Sequence, residues 1–166
     1  MKRIEAVNDF VVKFANVNGS GSASANELFA RSFLRMGVPV SPRNIFPSNI
    51  QGLPTWYEVR VTEKGWLGRR GGVDLMVAMN PQTWDRDVAE IDPGGYLLYD
   101  STKPLPPGKF RPDVHPIGVP LTQMCNAAYS DPRERQLLKN IMYVGVLASL
   151  LGIDPEAIAQ LVGEQY

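Results

Sequence analysis

The chain has 166 residues, with 17 Lys and Arg against 17 Asp and Glu, one histidine and one cysteine. That length suits one compact domain burying roughly 68–70% of its unfolded surface, and a hydrophobic content of 44% excludes a disordered tail. Charge balance excludes an electrostatically driven binder of nucleic acid or anionic membrane, and the lone Cys125 excludes a disulfide framework, a multi-cysteine zinc site and an iron–sulfur cluster held by this chain alone.

The start, Met1-Lys-Arg-Ile-Glu-Ala-Val-Asn-Asp, lacks the apolar run of a signal peptide. The longest apolar stretch, Ile141 to Ile153, is interrupted by Gly145, Ser149 and Gly152 and falls short of the roughly 20 residues a membrane span needs. The expectation is a soluble, cytoplasmic domain.

Asp9 to Val17 reads as a first strand, because its nearly continuous apolar run suits a strand covered on both faces. The loop Asn18-Gly-Ser-Gly-Ser follows. Ser24 to Met36 reads as a helix, with Ser24 and Glu27 at capping-box spacing and Gly37 as its stop. Val38-Pro-Val begins a second strand, broken by Pro42, before a long loop from Asn44 to Pro54. Trp56 to Thr62 alternates, with Tyr57, Val59 and Val61 on one face and Glu58 and Arg60 on the other. Val73 to Met79 is the next strand. Asn80 caps a short helix with Pro81 at its first position, ending at Ala89. Gly94 to Asp100 and Val114 to Val119 supply two more strands. Helices follow over Leu121 to Tyr129, over Arg133 to Leu151, and from Asp154 towards Gly163. Alternating strands and helices predict an α/β fold: a single domain with an open, mostly parallel, Rossmann-like sheet flanked by helices. The helix from Arg133 is apolar almost all round, so it is expected to be buried, in this domain or against a neighbour.

The loop from Asn18 through Gly19, Ser20 and Gly21 to Ser22 is the most informative local feature. Its glycines permit a tight turn, and the following helix start offers unpaired N–H groups to phosphate or carboxylate. Ser24 replaces the third glycine of the dinucleotide fingerprint, and Ser41-Pro-Arg43-Asn44 stands where an acidic residue belongs, so NAD does not fit. No Gly-Lys-Ser/Thr follows, so the loop is not a P-loop. It is either an anion site or a turn required only by the fold. Asn49, Gln51 and Gly52 lie on a long loop that reads as an interface or as a proline-shaped connector. Arg69-Arg70-Gly71-Gly72 reads either as a clamp for phosphate or carboxylate or as a solvated basic turn. Cys125 reads as a small buried hydrophobe, His115 as a strand-end residue, and Asp85, Asp87, Glu90 and Asp92 as a solvated acidic face. No catalytic residue and no metal-ligand spacing is evident in this chain.

Several motifs in order carry a resemblance. They are Asn8-Asp-Phe, Gly19-Ser-Gly21 with Asn26-Glu-Leu-Phe-Ala-Arg31, Gly37-Val-Pro, and Phe46-Pro-Ser-Asn-Ile-Gln-Gly-Leu-Pro-Thr-Trp-Tyr-Glu-Val-Arg-Val. Arg69-Arg-Gly-Gly, Asp74-Leu-Met-Val-Ala-Met-Asn-Pro and Asp92-Pro-Gly-Gly-Tyr-Leu-Leu-Tyr-Asp100-Ser-Thr follow. From about Asn8 to Tyr166 the chain resembles the gamma domain of 2-oxoacid:ferredoxin (acceptor) oxidoreductases, most like the N-terminal domain of the fused alpha subunit of the 2-oxoglutarate-type enzyme. The resemblance implies a domain, over residues 1–166, of a longer chain. It implies membership of a complex that oxidatively decarboxylates a 2-oxoacid, with 2-oxoglutarate favoured, to an acyl-CoA. It also implies thiamine diphosphate on other domains or subunits, iron–sulfur clusters delivering electrons to a ferredoxin-type acceptor, and coenzyme A. This chain alone is then expected to hold no cofactor and to be inactive. It would serve assembly and contribute to coenzyme A binding through Asn18, Gly19, Ser20, Gly21, Ser22, Asn49, Gln51 and Gly52. The other reading of the residues is a free-standing module that binds a phosphate-bearing ligand at Gly19-Ser20-Gly21.

Overall fold

A computed structural model of the chain describes residues 7–165; the signal-peptide reading rests largely on residues 1–6, outside that range. The first strand, β1 (Asp9–Val17), coincides with its expected bounds. It is followed by α1 (Ser22–Arg35), β2 (Val40–Ile45), β3 (Pro54–Thr62) and β4 (Val73–Ala78). A 3-10 turn over Pro81–Thr83 leads into α2 (Trp84–Ala89), then β5 (Ile91–Asp100) and β6 (His115–Val119). Three helices close the chain: α3 (Leu121–Ala128), α4 (Pro132–Leu151) and α5 (Pro155–Gln165).

The six strands form one sheet in the order β2-β3-β1-β4-β5-β6. β1, β4, β5 and β6 run parallel, while β3 is antiparallel to both β1 and β2. β3 alone therefore runs against the rest, and the mostly parallel α/β expectation matches. On one face, Val12 and Phe14 of β1 pack with Val59, Val77 and Leu98 against Leu28 and Phe29 of α1 and Tyr143 and Leu147 of α4. The Phe14 and Phe29 rings meet edge-on at 5.2 Å. Burying each such side chain contributes about 1.5–3 kcal/mol. The opposite face holds a smaller core of Trp56, Met76, Leu97, Trp84, Val88 and Ile91.

Some local expectations give way to packing. α1 starts at Ser22, with Gly21 as its N-cap and no side-chain cap, so the Ser24–Glu27 box is not what starts it. Pro42 does not break β2, because β2 is the edge strand. Thr62 donates its N–H to the Pro39 carbonyl, which places Pro42, three residues on, with its nitrogen on the unpaired side. Pro116 stands likewise on the outer side of β6, at the other edge. Glu58 and Arg60 occupy the face opposite Val59 and Val61, as the alternation says, yet both are buried. α4 is only half covered: Tyr143, Val144, Leu147 and Ala148 are buried, whereas Gly145, Ser149 and Leu150 are exposed. No helix among the described residues is long and apolar enough to cross a membrane.

Candidate functional site

β1 ends where strand direction changes, with parallel β4 on one side and antiparallel β3 on the other. The strand order also reverses there, since β1 leads through α1 to β2 on one side of the sheet and β4 through α2 to β5 on the other. Open α/β sheets place ligands in the crevice at the carboxyl ends of strands at such a reversal. The chain leaving β1 turns at once, with Ser20 N–H donating to the Val17 carbonyl at 3.2 Å. Gly19 and Gly21 take left-handed φ values of 82° and 76°, which any other L-residue adopts only at a cost. A Cβ at Gly19 would also lie 2.7 Å from Gln51 Cγ. The two loops are stitched together by backbone bonds, Asn18 N–H to the Leu53 carbonyl at 2.8 Å and Gly52 N–H to the Asn18 carbonyl at 2.9 Å. Asn18 Nδ2 adds a bond to the Ile50 carbonyl at 3.1 Å. The two segments singled out in the sequence are therefore one structure.

Between them and α4 lies a cleft of about 470 Å³. Asn18, Gly19, Ser20, Gln51 and Gly52 line it with Gln136, Lys139 and Asn140 of α4. Gly21 and Ser22 line an adjoining recess of about 250 Å³. Asn49 is exposed on the loop and lines neither. The first-turn N–H groups of α1 have no side-chain cap and no acidic residue beside them. Asn140 Nδ2 donates to the Ser20 carbonyl at 2.9 Å, so α4 holds the glycine loop in place. Beneath the loop runs a buried amide relay in which Asn26 Nδ2 donates to Asn16 Oδ1 at 3.0 Å. The Tyr143 hydroxyl in turn donates to Asn26 Oδ1 at 2.7 Å.

Lys139 and Met79 also line a third cleft, of about 290 Å³, at the ends of β4 and β5. Lys139 Nζ stands 3.9 Å from Asp100 Oδ2. Burial pushes the Asp100 carboxyl up, but hydrogen bonds from the hydroxyls and N–H groups of Thr102 and Thr122 outweigh it and hold it below the ordinary value. Asp100 is thus a fixed anion behind the cation of the cleft. Gln136, Lys139, Asn140, Asn16 and Tyr143 were not signalled by any local motif, and Asn26 stood in one only as a mark of resemblance. Only the turn of α4 that brings Gln136, Lys139 and Asn140 onto neighbouring positions hints at a polar stripe.

The remaining sequence candidates resolve differently. Arg69 pairs with Glu58 at 3.3 Å and Arg70 pairs with Asp74, so the Arg69-Arg70 pair is neither an empty clamp nor a wholly solvated turn. Asp87 is fully buried and accepts from Trp56 Nε1 at 2.7 Å and Thr83 Oγ1 at 2.5 Å. Glu90 pairs with the buried Lys13 and Asp85 with Lys109. Asp87 and Glu90 are therefore tied into the fold, whereas Asp85 stays on the solvated face expected of it. Cys125 is buried, and burial pushes its thiol up and away from nucleophilic reactivity. The His115 ring stacks on Tyr96 at 5.3 Å. Among the described residues no three of His, Cys, Asp and Glu gather as a metal site.

The family profile described as pyruvate ferredoxin/flavodoxin oxidoreductase matches residues 11–166. The chain belongs to that family. It is 25% identical over 146 residues to the alpha subunit of 2-oxoacid:ferredoxin oxidoreductase 2 from Aeropyrum pernix, covering 87% of this chain and 21% of that subunit. It therefore spans about a fifth of the length of this relative. Among solved structures, the 2-oxoglutarate:ferredoxin oxidoreductase of Magnetococcus marinus, with 2-oxoglutarate, coenzyme A and succinyl-CoA bound, superposes at a TM-score of 0.84 and 22% identity, over 96% of this chain and 27% of that one. A pyruvate oxidoreductase subunit from Thermotoga maritima matches at a TM-score of 0.74 and 19% identity, over 96% of this chain and 86% of the subunit. The gamma subunit of a keto/oxoacid ferredoxin oxidoreductase from Geobacter sulfurreducens matches at 0.73 and 21%, over 95% and 86%. Family and fold agree along nearly the whole chain.

Proposed function

We propose that this chain is the gamma-type domain or subunit of a 2-oxoacid:ferredoxin oxidoreductase complex, one that oxidatively decarboxylates a 2-oxoacid, with 2-oxoglutarate preferred, to an acyl-CoA. Its own part is assembly of the complex and holding coenzyme A in the cleft beyond β1. The observation that carries the reading is the family match over residues 11–166. The cleft supplies chemistry for the second half. Its Lys139 ammonium, with the glycine turn and the uncapped start of α1 in the adjoining recess, suits the phosphates of such a ligand. Amides of Asn18, Gln51 and Asn140 add orienting hydrogen bonds, and Asn49 stands at the outer margin of the same loop.

Thiamine diphosphate, when bound in such a complex, supplies the electron sink for the decarboxylated carbanion, and iron–sulfur clusters supply the path to a ferredoxin-type acceptor. A cluster needs several thiolates, and Cys125 is the one cysteine of the chain. The clusters are therefore assigned to partner domains or subunits, and the family resemblance assigns thiamine diphosphate to them too. Affinity purification from the source cell, followed by mass spectrometry, tests membership of the complex. Recovery of thiamine-binding and iron–sulfur partners is expected, and a lone 18.4 kDa species would overturn it. Calorimetric titration of the chain with coenzyme A separates a ligand site from a purely architectural role. If the chain is instead a free-standing module, a simple phosphate ester binds without partners being recovered.

A further inference from the structure

We infer that a second anion site, unrelated to the cleft beyond β1, lies on the α2 side of the sheet and takes a phosphoryl-type dianion. A cleft of about 410 Å³ opens there between β1, β2, the loop before β4, and α2. It shares no lining residue with the cleft beyond β1. Its walls carry Lys13, Arg43, Arg69, Arg70 and Arg86 against the carboxylates of Glu58 and Glu90. The chain as a whole has no net charge, so this concentration of cations is local.

What matters is how many donors these cations keep free. Among the described residues, Arg43 has no hydrogen-bond or ion-pair partner. Register sets it opposite Glu58, but Glu58 is engaged by Arg69 instead, through two contacts of 3.3 Å. Arg86 Nε reaches Glu90 at the same 3.3 Å. Arg69 and Arg86 each keep guanidinium N–H groups beyond those directed at their carboxylates, and Arg43 keeps all of its own, so three guanidinium groups have donors left for a ligand. They are not free to wander. Arg86 is stacked over the buried Trp56 ring at 4.4 Å, which fixes its plane. Lys13 is 6% exposed and tied to Glu90, so it gives the wall a positive charge that solvent screens weakly. Arg70 is already taken by Asp74 and is not needed.

Planar guanidinium forks converging on an open cleft match the oxygens of a phosphoryl group, whether free or carried by a larger molecule. Glu58 and Glu90 would repel that anion from their own ends of the cleft, so it sits on Arg43, Arg69 and Arg86. In this arrangement the basic Arg69-Arg70 turn helps to close a site whose other half comes from β2 and α2.

The test titrates the 166-residue chain with inorganic phosphate and, separately, pyrophosphate at low ionic strength. Arginine side-chain NMR signals are followed, and sodium chloride at matched ionic strength is the control. Saturable shifts at Arg43, Arg69 and Arg86, weakened about tenfold by Arg43→Ala and suppressed by added salt, are the expected result. Stronger binding of pyrophosphate would assign the site to a linked phosphate, and stronger binding of phosphate to a free one. Arg43→Gln serves as a second variant, and both replace an exposed side chain that holds nothing in the fold. Shifts that never saturate, or that chloride reproduces, would overturn the site. Saturable shifts confined to Asn18–Ser22 would also overturn it while leaving the cleft beyond β1 intact.

Discussion

The hydroxyl of Tyr143, on α4, donates to Asn26 Oδ1, on α1, at 2.7 Å, in the same buried layer where Asn26 bonds Asn16 at the end of β1. Three elements distant in sequence are thereby set against one another directly below the glycine loop. Tyr143→Phe keeps the ring and deletes the bond, leaving a buried amide oxygen short of a donor. A loss of about 1–3 kcal/mol in urea unfolding is expected, with the fold retained. An unchanged midpoint would show that the relay contributes nothing.

Gly19 is where backbone and packing demands coincide. Gly19→Ala imposes a left-handed conformation on an L-residue, costing roughly 1–2 kcal/mol, and sets a Cβ 2.7 Å from Gln51 Cγ. Adding Gln51→Ala relieves the contact but not the backbone strain, so the double variant recovers only part of the lost stability. Full recovery would mean that the strain is absent.

Lys139 stands between the cleft beyond β1 and the one at the ends of β4 and β5, backed by Asp100. Lys139→Gln removes the charge and keeps much of the length. If the cleft takes coenzyme A, its affinity in calorimetry falls about tenfold, as loss of one charged contact implies, while thermal stability changes little. Equal affinity in the two proteins would remove Lys139 from the site.

Asp87 provides a test in pH. Burial raises its carboxyl above the ordinary 3.8, more than the bonds from Thr83 and Trp56 and the charge of Lys13 lower it, with Glu90 adding to the rise. A carboxyl raised in the folded state favours folding most below 3.8 and loses that contribution as pH rises through the folded value. Asp87→Asn does not titrate. The variant's stability relative to the parent should therefore climb as pH rises from about 3.8, measured by urea unfolding at a series of pH values. A difference that stays flat would refute the assignment.

Much of this was legible before any coordinates. β1 matched its expected bounds because an apolar run, interrupted only at Lys13 and Asn16, ends at Asn18-Gly19, a signal local to the chain. The Asn80 cap was likewise written in adjacent residues, with Asn80 Oδ1 accepting from the Gln82 N–H. The relay of Asn16, Asn26 and Tyr143 was not legible, since each residue acquires its role only when α1 and α4 close over β1. Glu58 and Arg60 mislead for a related reason: alternation assigns a face to a side chain but does not say whether water or a layer of counter-ions covers it. Ser24 and Glu27 show the limit of motif spacing, because the left-handed turn at Gly21 begins the helix before their box can.

The prolines at the two margins of the sheet have a consequence for how the domain meets other chains. At Pro42 on β2 and Pro116 on β6, the outward-facing position that would present an amide hydrogen to an incoming strand has none. Annealing of a second polypeptide onto either rim loses a rung and meets a ring, which disfavours a seventh strand on the six. Contacts with neighbouring chains are thereby shifted towards side chains on loops and helices, and edge-to-edge pairing of copies is disfavoured.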